Sequence, residues 1–588
     1  MRLAFWALGA AALLSAQDTR QVAEPAFPPV CARLAAQLSA NATGMSLPSE
    51  TVTDTAAIQS ALNACPAGDA VELAPAGPFN AFLMAPIALP KGVTLLVDAG
   101  VTVFASRNPR DYDSSPAQTC GTLTTAGGGC VPLITANRAD GAGVMGYGTI
   151  DGRGELPMMP GGMPASSSWW DLANQANVSG STVTQNCPRM LQISNTNSFT
   201  LYKITLKNSP NFHVSMGASS NVTVWGIKIV TPYDARNTDG VDPGYSNNVT
   251  ITNSYISDGD DNVAVDGNSP PGATNISVVG NHFGDGHGAS IGSYTLAGVS
   301  NILFDHLSFA GTSANSNAAG VRIKSDVSRG GLVQNVTYSN LCMQNIRAAI
   351  VLDPFYTAGA TGNLIPHYAN ITLQNVHATT EGTVKIEGHD SNVPTTITLD
   401  NVQMDNIKSS DITQEYVSYQ LGPDPVNFAS MLSGTGVTVQ NNVSTSNPPY
   451  SCPAALFAPI AGELIPGPSS LQNGHTLTVQ SQIFTTKAVP YQTYLTSLKS
   501  NPNATLSIAA PTGTVTVYDG ATAVATASLS GSPLVSIPLG TLSPGGHTLT
   551  AVYSGDATYP GFTFGSYKVG VCNLRRVGHP AALRSCVW

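Results

Sequence analysis

"NVTVWGIKIVTPYDARNTDGVDPGYSNNVTITNSYI", residues 221–256, begins and ends on the same phrase: Asn, a β-branched run, a polar corner and a second short strand. The phrase returns as "NISVVGNHF" from Asn275, "NILFDHLSF" from Asn301, "NVTYSNLCM" from Asn335, "NITLQNVHA" from Asn370 and "TITLDNVQM" from Thr396. Its first steps are 27, 27 and 26 residues, and later steps lengthen to 34 and 35. Such a period is too short for a strand–helix–strand unit and suits coils stacked into a parallel β-helix. Asn recurring at one corner predicts a ladder of side chains bonded along the stack. The N-x-T/S triplets formally match glycosylation acceptors, but in this register corner Asn followed by strand Thr explains them better.

Bulk composition agrees. Only 10% of the 588 residues are charged, while Gly (57) and Pro (40) abound, which argues for short strands and turns against long helices. The net charge of −10 gives no support for nucleic-acid binding, and attraction to an acidic polymer has to be local. The opening "MRLAFWALGAAALLSAQDTR" has one Arg, an apolar run and a small-residue exit. It reads as a signal peptide over 1–17, so the chain is expected to be secreted: extracellular, periplasmic or cell-surface. No later segment is apolar enough to span a bilayer. Nine cysteines show no C-x-x-C spacing. Some are expected to pair after export, Cys120–Cys130 and Cys572–Cys586 being the local candidates, and the odd count leaves one free.

The stack is expected to fill residues 18–455, with "DTAAIQSALNAC" (Asp54–Cys65) forming a short helix with an acidic start over its N-terminal end. A Pro/Gly-rich linker is expected over 456–469. From 470 to 571, "TLTVQSQIF", "GTVTVYDG", "ATASLSG" and "HTLTAVYSGD" alternate with period two between Gly turns, as in a small β-sandwich. Two phrases, "PTGTVTVYDG" and "GGHTLTAVYSGDATYPG", resemble the bacterial immunoglobulin-like repeats appended to secreted enzymes. The expected fold class is thus all-β: a right-handed parallel β-helix followed by a small immunoglobulin-like β-sandwich, with a tail at 572–588.

Chemistry-bearing residues fall on the same lattice. Asp239 precedes Asp260 and Asp261 by about one coil, and neighbouring strands lie about 4.8 Å apart, so a linear spacing becomes a cluster of three carboxylates. Their mutual repulsion should leave one acid protonated beside ionised neighbours, the division of labour that breaking a glycosidic bond requires. His287 lies between glycines in "GDGHG", and "GVRIKSD" puts Arg322 and Lys324 on one strand face. Two cations sharing a face suit a sugar carboxylate. Singly these are weak signals: a DD pair is usually a turn, and Arg-x-Lys usually faces solvent.

In order, "NTDG", "GDD", "GHG" and "RIK", with "GTIDGRG", "WWDL", "LKNSPNFHV", "GASIGS" and "SRGGLVQNVTYSN" around them, resemble glycoside hydrolase family 28, the polygalacturonases, from about Asp54 to about Ile407. The resemblance implies a right-handed β-helix that hydrolyses α-1,4-linked galacturonan with inversion and without cofactor or metal. It implies Asp260 as general acid, Asp239 and Asp261 as activators of water, and His287 as the group tuning the acid's protonation. Arg322 and Lys324 would hold the galacturonate carboxylate, with Tyr356 in "VLDPFY" and Asn237 in "NTDG" as further substrate contacts. Pectin or polygalacturonate is the expected partner, with the enzyme acting as a monomer. Many family members have Cys after the acidic pair, where this chain has Asn262.

Rival readings are a calcium-dependent β-helical pectate lyase, whose ion the three acids would hold, and a non-catalytic glycan-binding β-helix or adhesin. The first predicts unsaturated products lost on chelation; the second has no use for an acid triad beside Arg-x-Lys.

Overall fold

A computed structural model describes residues 17–572 apart from 42–43, 46–49, 51, 115–118, 126–128, 161–166, 179–182, 314, 466–469, 486–487, 501–509 and 530–531. The expected signal peptide (all but its last residue), the tail beyond Cys572 and Cys586 therefore lie outside the described residues.

Central coils of the stack carry three strands, as in Val241–Pro243, Asn247–Thr252 and Tyr255–Ser257, each pairing in parallel with its counterpart one coil on, and from Val299–Ala310 the second and third merge into one long strand. The first strands of the coils form an eleven-stranded sheet from Ile87–Ala88 to Ile412–Glu415, and the others form a twenty-one-stranded sheet round the remaining faces. The winding is a right-handed parallel β-helix. Apolar side chains alternate inward and stack on themselves: Val241, Val263, Ala289, Val321 and Ile350 occupy one column, all fully buried. Burial on both faces of so many short strands is what parallel sheets require.

The predicted Asn ladder is present. Asn248 donates to Asn221 at 3.3 Å, Asn301 to Asn275 at 3.2 Å, Asn335 to Asn301 at 3.3 Å and Asn370 to Asn335 at 2.7 Å. These asparagines also take φ near +55 to +58°. That left-handed corner is one Asn tolerates better than other side chains because its amide bonds locally. Helix Thr55–Ala64 covers the N-terminal end and buries Ile58 and Leu62 in the core. Asp54 does not cap it: its carboxylate accepts the N–H of Leu83 at 2.8 Å, tying the helix to the strand Ala81–Met84. Disulfides join Cys31–Cys65, Cys120–Cys130 and Cys342–Cys452; Cys187 is a free thiol.

In the C-terminal domain, a three-stranded antiparallel sheet (Ile460–Ile465, Thr476–Thr485, Leu534–Thr541) faces a five-stranded one. Val479, Ile537, Val517, Leu549 and Val569 form the core between them. The structure thus differs from the sequence expectation within 456–469, where Ile460–Ile465 is a full sandwich strand rather than linker. Its flanking Pro and Gly residues conceal the alternation. Glu463, on that strand, ion-pairs with Lys228 and, at 2.7 Å, with Lys203 of the β-helix. A second departure is the helix Tyr491–Ser500, inserted between sandwich strands.

Candidate functional site

The site lies where three successive turns deliver polar residues to one wall of the eleven-stranded sheet. Val241 pairs with Val263 and Val263 with Ala289, so Asp239, Asp261 and His287 stand at equivalent places on adjacent coils. Arg322 is level with Ser290, and Lys324 follows two residues on, both facing outward while Ile323 is fully buried. The expected cluster of Asp239, Asp260, Asp261, His287, Arg322 and Lys324 is therefore one constellation.

Asp261 is its hub. It is 2% exposed and receives Arg322 Nη1 on Oδ1 at 3.0 Å, Lys324 Nζ on Oδ2 at 2.7 Å and the Ser290 hydroxyl on Oδ1 at 2.7 Å. Next to it, Asp260 Oδ1 meets His287 Nδ1 at 3.0 Å, and Asp260 Oδ2 accepts Asn237 Nδ2 at 3.3 Å. Asn237 is itself held by Gln185 at 2.8 Å. Tyr356 is 42% exposed, with its ring 5.1 Å from Lys324 Nζ and 5.6 Å from the Arg322 guanidinium carbon. Such cation–π contacts help hold both cations toward the acids.

Asp239 Oδ1 is buried without a hydrogen-bond partner among the described residues. Burial first, then the charges of Asp260, Asp242 and Asp261, push its carboxyl well above the ordinary range. Asp260 goes the other way. Burial raises it, but His287, Lys324 and Arg322 together outweigh that and hold it below the ordinary carboxylate range. Repulsion from its neighbours adds to the rise at Asp239, and the His287, Lys324 and Arg322 groups beside Asp260 are what separate the two acids. The shifts run opposite ways, Asp239 up and Asp260 down, so Asp239 is the readier of the two to hold a proton.

Sequence reasoning missed the residues that hold this geometry. Asn262, in the place of a relative's cysteine, is 1% exposed. It donates to the Asp285 carbonyl at 2.9 Å and accepts the Gly288 N–H at 3.0 Å, pinning the His287 turn. The two glycines round His287 have φ of +148° and +81°. A Cβ on Gly286 would strike Asn262, and one on Gly288 the backbone of Ala319 and Gly320, so coil packing rather than ligand access explains them. Asp258 accepts the Asp260 N–H at 3.1 Å and shapes the acidic turn. His213, fully buried, lies 3.1 and 3.0 Å from the carbonyls of Thr238 and Asp239 through Nδ1, and 2.9 Å from Thr231 Oγ1 through Nε2. Burial pushes its pKa down to about 4, and facing two carbonyls it keeps its proton on Nδ1. These contacts arise between positions that follow no repeat, although the unusual density of Asp, Asn and His was visible.

Ligand atoms of Asp260, Asp261 and His287 lie within 4.8 Å of one another, as in a metal site. Two cationic side chains already occupy both oxygens of Asp261, which sets this donor group against a divalent ion and favours a bound anion.

The family model described as glycosyl hydrolases family 28 matches residues 88–421, and one described as a bacterial Ig-like domain (group 3) matches residues 467–571. A polygalacturonase of Ralstonia solanacearum is 38% identical over 483 residues, covering 72% of this chain and 90% of that protein. An endo-polygalacturonase of Pectobacterium carotovorum subsp. carotovorum is 41% identical over 390 residues, 66% of this chain and 90% of that one. The solved polygalacturonase of Erwinia carotovora ssp. carotovora superposes with a TM-score of 0.62 at 38% identity, over 72% of this chain and all of its own. The acid cluster and the paired cations fall within the matched region, and this chain belongs to glycosyl hydrolase family 28.

Proposed function

We propose that the protein hydrolyses the α-1,4-galacturonosidic bonds of polygalacturonate outside the cell, a reading supported by its similarity to a polygalacturonase and an endo-polygalacturonase. The observation that carries this reading is the pairing of Arg322 and Lys324 with Asp261 directly beside Asp260 and His287. A uronate carboxylate entering between the two cations and under Tyr356 is drawn to the acids it would otherwise avoid. The arriving charge engages Arg322 and Lys324 and adds an anion next to Asp260, and both changes raise that carboxyl's affinity for a proton. The proton held on Asp239 then passes to Asp260, which protonates the leaving oxygen. Asp239, now ionised, and Asp261 share and activate the attacking water. Asp261 is held by three donors, which suits a carboxylate that orients water, and inversion follows from the family resemblance. No metal enters these steps, and every residue comes from one chain. Export is supported by the apolar N-terminal run and three disulfides.

Product analysis on de-esterified polygalacturonate tests the reading. Saturated uronides, unaffected by a chelator and released first as the β-anomer in proton NMR, are expected. Asp260→Asn should retain polymer binding and lose turnover. Ultraviolet-absorbing unsaturated ends would instead establish the lyase, and an unaltered polymer would leave a glycan binder.

A further inference from the structure

The residues that carry Asp239 follow the strand Lys228–Val230 as an irregular segment, in which Ala235 is fully buried. Its cover comes from the other domain. Tyr491, the first residue of the helix Tyr491–Ser500, is fully buried in a cluster with Trp170 and Ala235, apart from the core of its own sandwich. Its ring meets Trp170 edge-on at 5.1 Å. Its hydroxyl donates to Asp171 Oδ1 at 3.0 Å and lies 2.9 Å from the Ser168 hydroxyl. In return, Asp234 of the β-helix accepts the N–H groups of Tyr491 and, at 2.8 Å, Gln492, capping a helix of the neighbouring domain.

Two short routes lead from this contact to the acids. The Thr238 hydroxyl donates to the carbonyl of Ala235 at 2.6 Å and accepts the N–H of Gly259 at 3.0 Å, one residue before Asp260. Trp170 Nε1 donates to the carbonyl of Ser209 at 2.9 Å. The N–H of Ser209 faces His213, whose own N–H binds the carbonyl of Asp239 at 2.9 Å. One route ends beside Asp260 and the other on the backbone of Asp239.

We propose that Tyr491 is a positioning residue of the active site: the immunoglobulin-like domain braces, through this side chain, the loop that sets Asp239 against Asp260. The proposal rests on the hydrolase reading above. It makes the second domain a component of turnover rather than only a spacer or an attachment module. Because the gap between the two acids sets their repulsion, loosening the brace alters proton sharing as well as alignment.

In the full-length protein, Tyr491→Ala is expected to lower kcat on de-esterified polygalacturonate about tenfold, to leave KM within twofold, and to displace the pH profile of kcat. Tyr491→Phe, which keeps the ring and loses the hydroxyl, should fall between Tyr491→Ala and wild type. A folded Tyr491→Ala protein with wild-type kcat and pH profile overturns the proposal. So does a kcat that drops only in proportion to the folded fraction measured by near-ultraviolet circular dichroism. If Tyr491→Ala does not fold, Tyr491→Phe decides: a lowered kcat with a displaced profile supports the brace, and unchanged kinetics overturn it. A wild-type chain that leaves the polymer intact overturns the hydrolase reading itself, whereas an active wild type indifferent to Tyr491 overturns this inference alone.

Discussion

Asp239 and Asp261 are held level on adjacent coils, the N–H of Gly240 donating to the carbonyl of Asp261 at 2.9 Å. Sheet pairing therefore fixes the gap between them, and neither acid can retreat from the other without breaking the ladder. Asp239→Asn keeps the shape and hydrogen-bonding capacity of the side chain but removes its exchangeable proton and its charge. The expected result is a fall in kcat of about 10²- to 10⁴-fold with little change in KM, read from initial rates of reducing-end release. A variant within threefold of wild type removes Asp239 from the mechanism.

Arg322 makes two kinds of contact from one planar group, an ion pair with Asp261 and a stack on Tyr356. Lysine cannot reproduce both. Arg322→Lys is expected to raise KM on de-esterified polygalacturonate about tenfold, and to change KM much less on a methyl-esterified polymer that has no carboxylate to clamp. Equal losses on both polymers would show that Arg322 acts on Asp261 and not on substrate.

Glu155 gives the fold a dependence on pH away from the acid cluster. Burial, and after it the charge of Asp151, pushes its carboxyl from 4.5 up to about 8. A folded pKa above the unfolded one means that its stability is whole below the unfolded pKa and is lost as pH climbs to the folded value. Between about 4.5 and 8 the wild type should therefore lose on the order of 4 kcal/mol relative to Glu155→Gln, which cannot ionise. Urea unfolding of both proteins across that range measures the difference. Parallel curves would refute the assignment.

The Asn ladder is testable at Asn301, whose φ is +58° and whose amide bonds Asn275 at 3.2 Å and Asn335 at 3.3 Å. Asn301→Ala loses both bonds and must hold a left-handed backbone, for an expected cost of about 2 kcal/mol. Asn301→Gly restores the backbone freedom and should cost about 1 kcal/mol. Thermal unfolding of the two variants separates these parts, and equal Tm values would mean that the corner is unstrained.

Repetition made the β-helix readable. Asn221, Asn248, Asn275 and Asn301 announce both the period and the corner, because every coil solves the same packing problem in the same way. The acids and cations were readable for a related reason, since the lattice turns their spacing into proximity. What stayed hidden follows no period. Asn262 looked only like a missing cysteine, yet its two bonds to the next coil hold the His287 turn. Ile460–Ile465 looked like linker because Pro and Gly flank it. The link from Tyr491 to Asp234 joins residues more than 250 positions apart, with no pattern in either segment to suggest the other. Charge states were half legible: repulsion predicted that one acid would keep its proton, but burial and the direction of His287 decide which.

Asn301 and Asn335 each bond to their counterparts on the coils before and after them, so the architecture grows by whole turns. One further coil after Glu387 would lengthen the wall that carries the acids by about 4.8 Å and leave Asp239, Asp260 and Asp261 undisturbed. The length of that wall is in this scaffold a counted quantity that changes in steps.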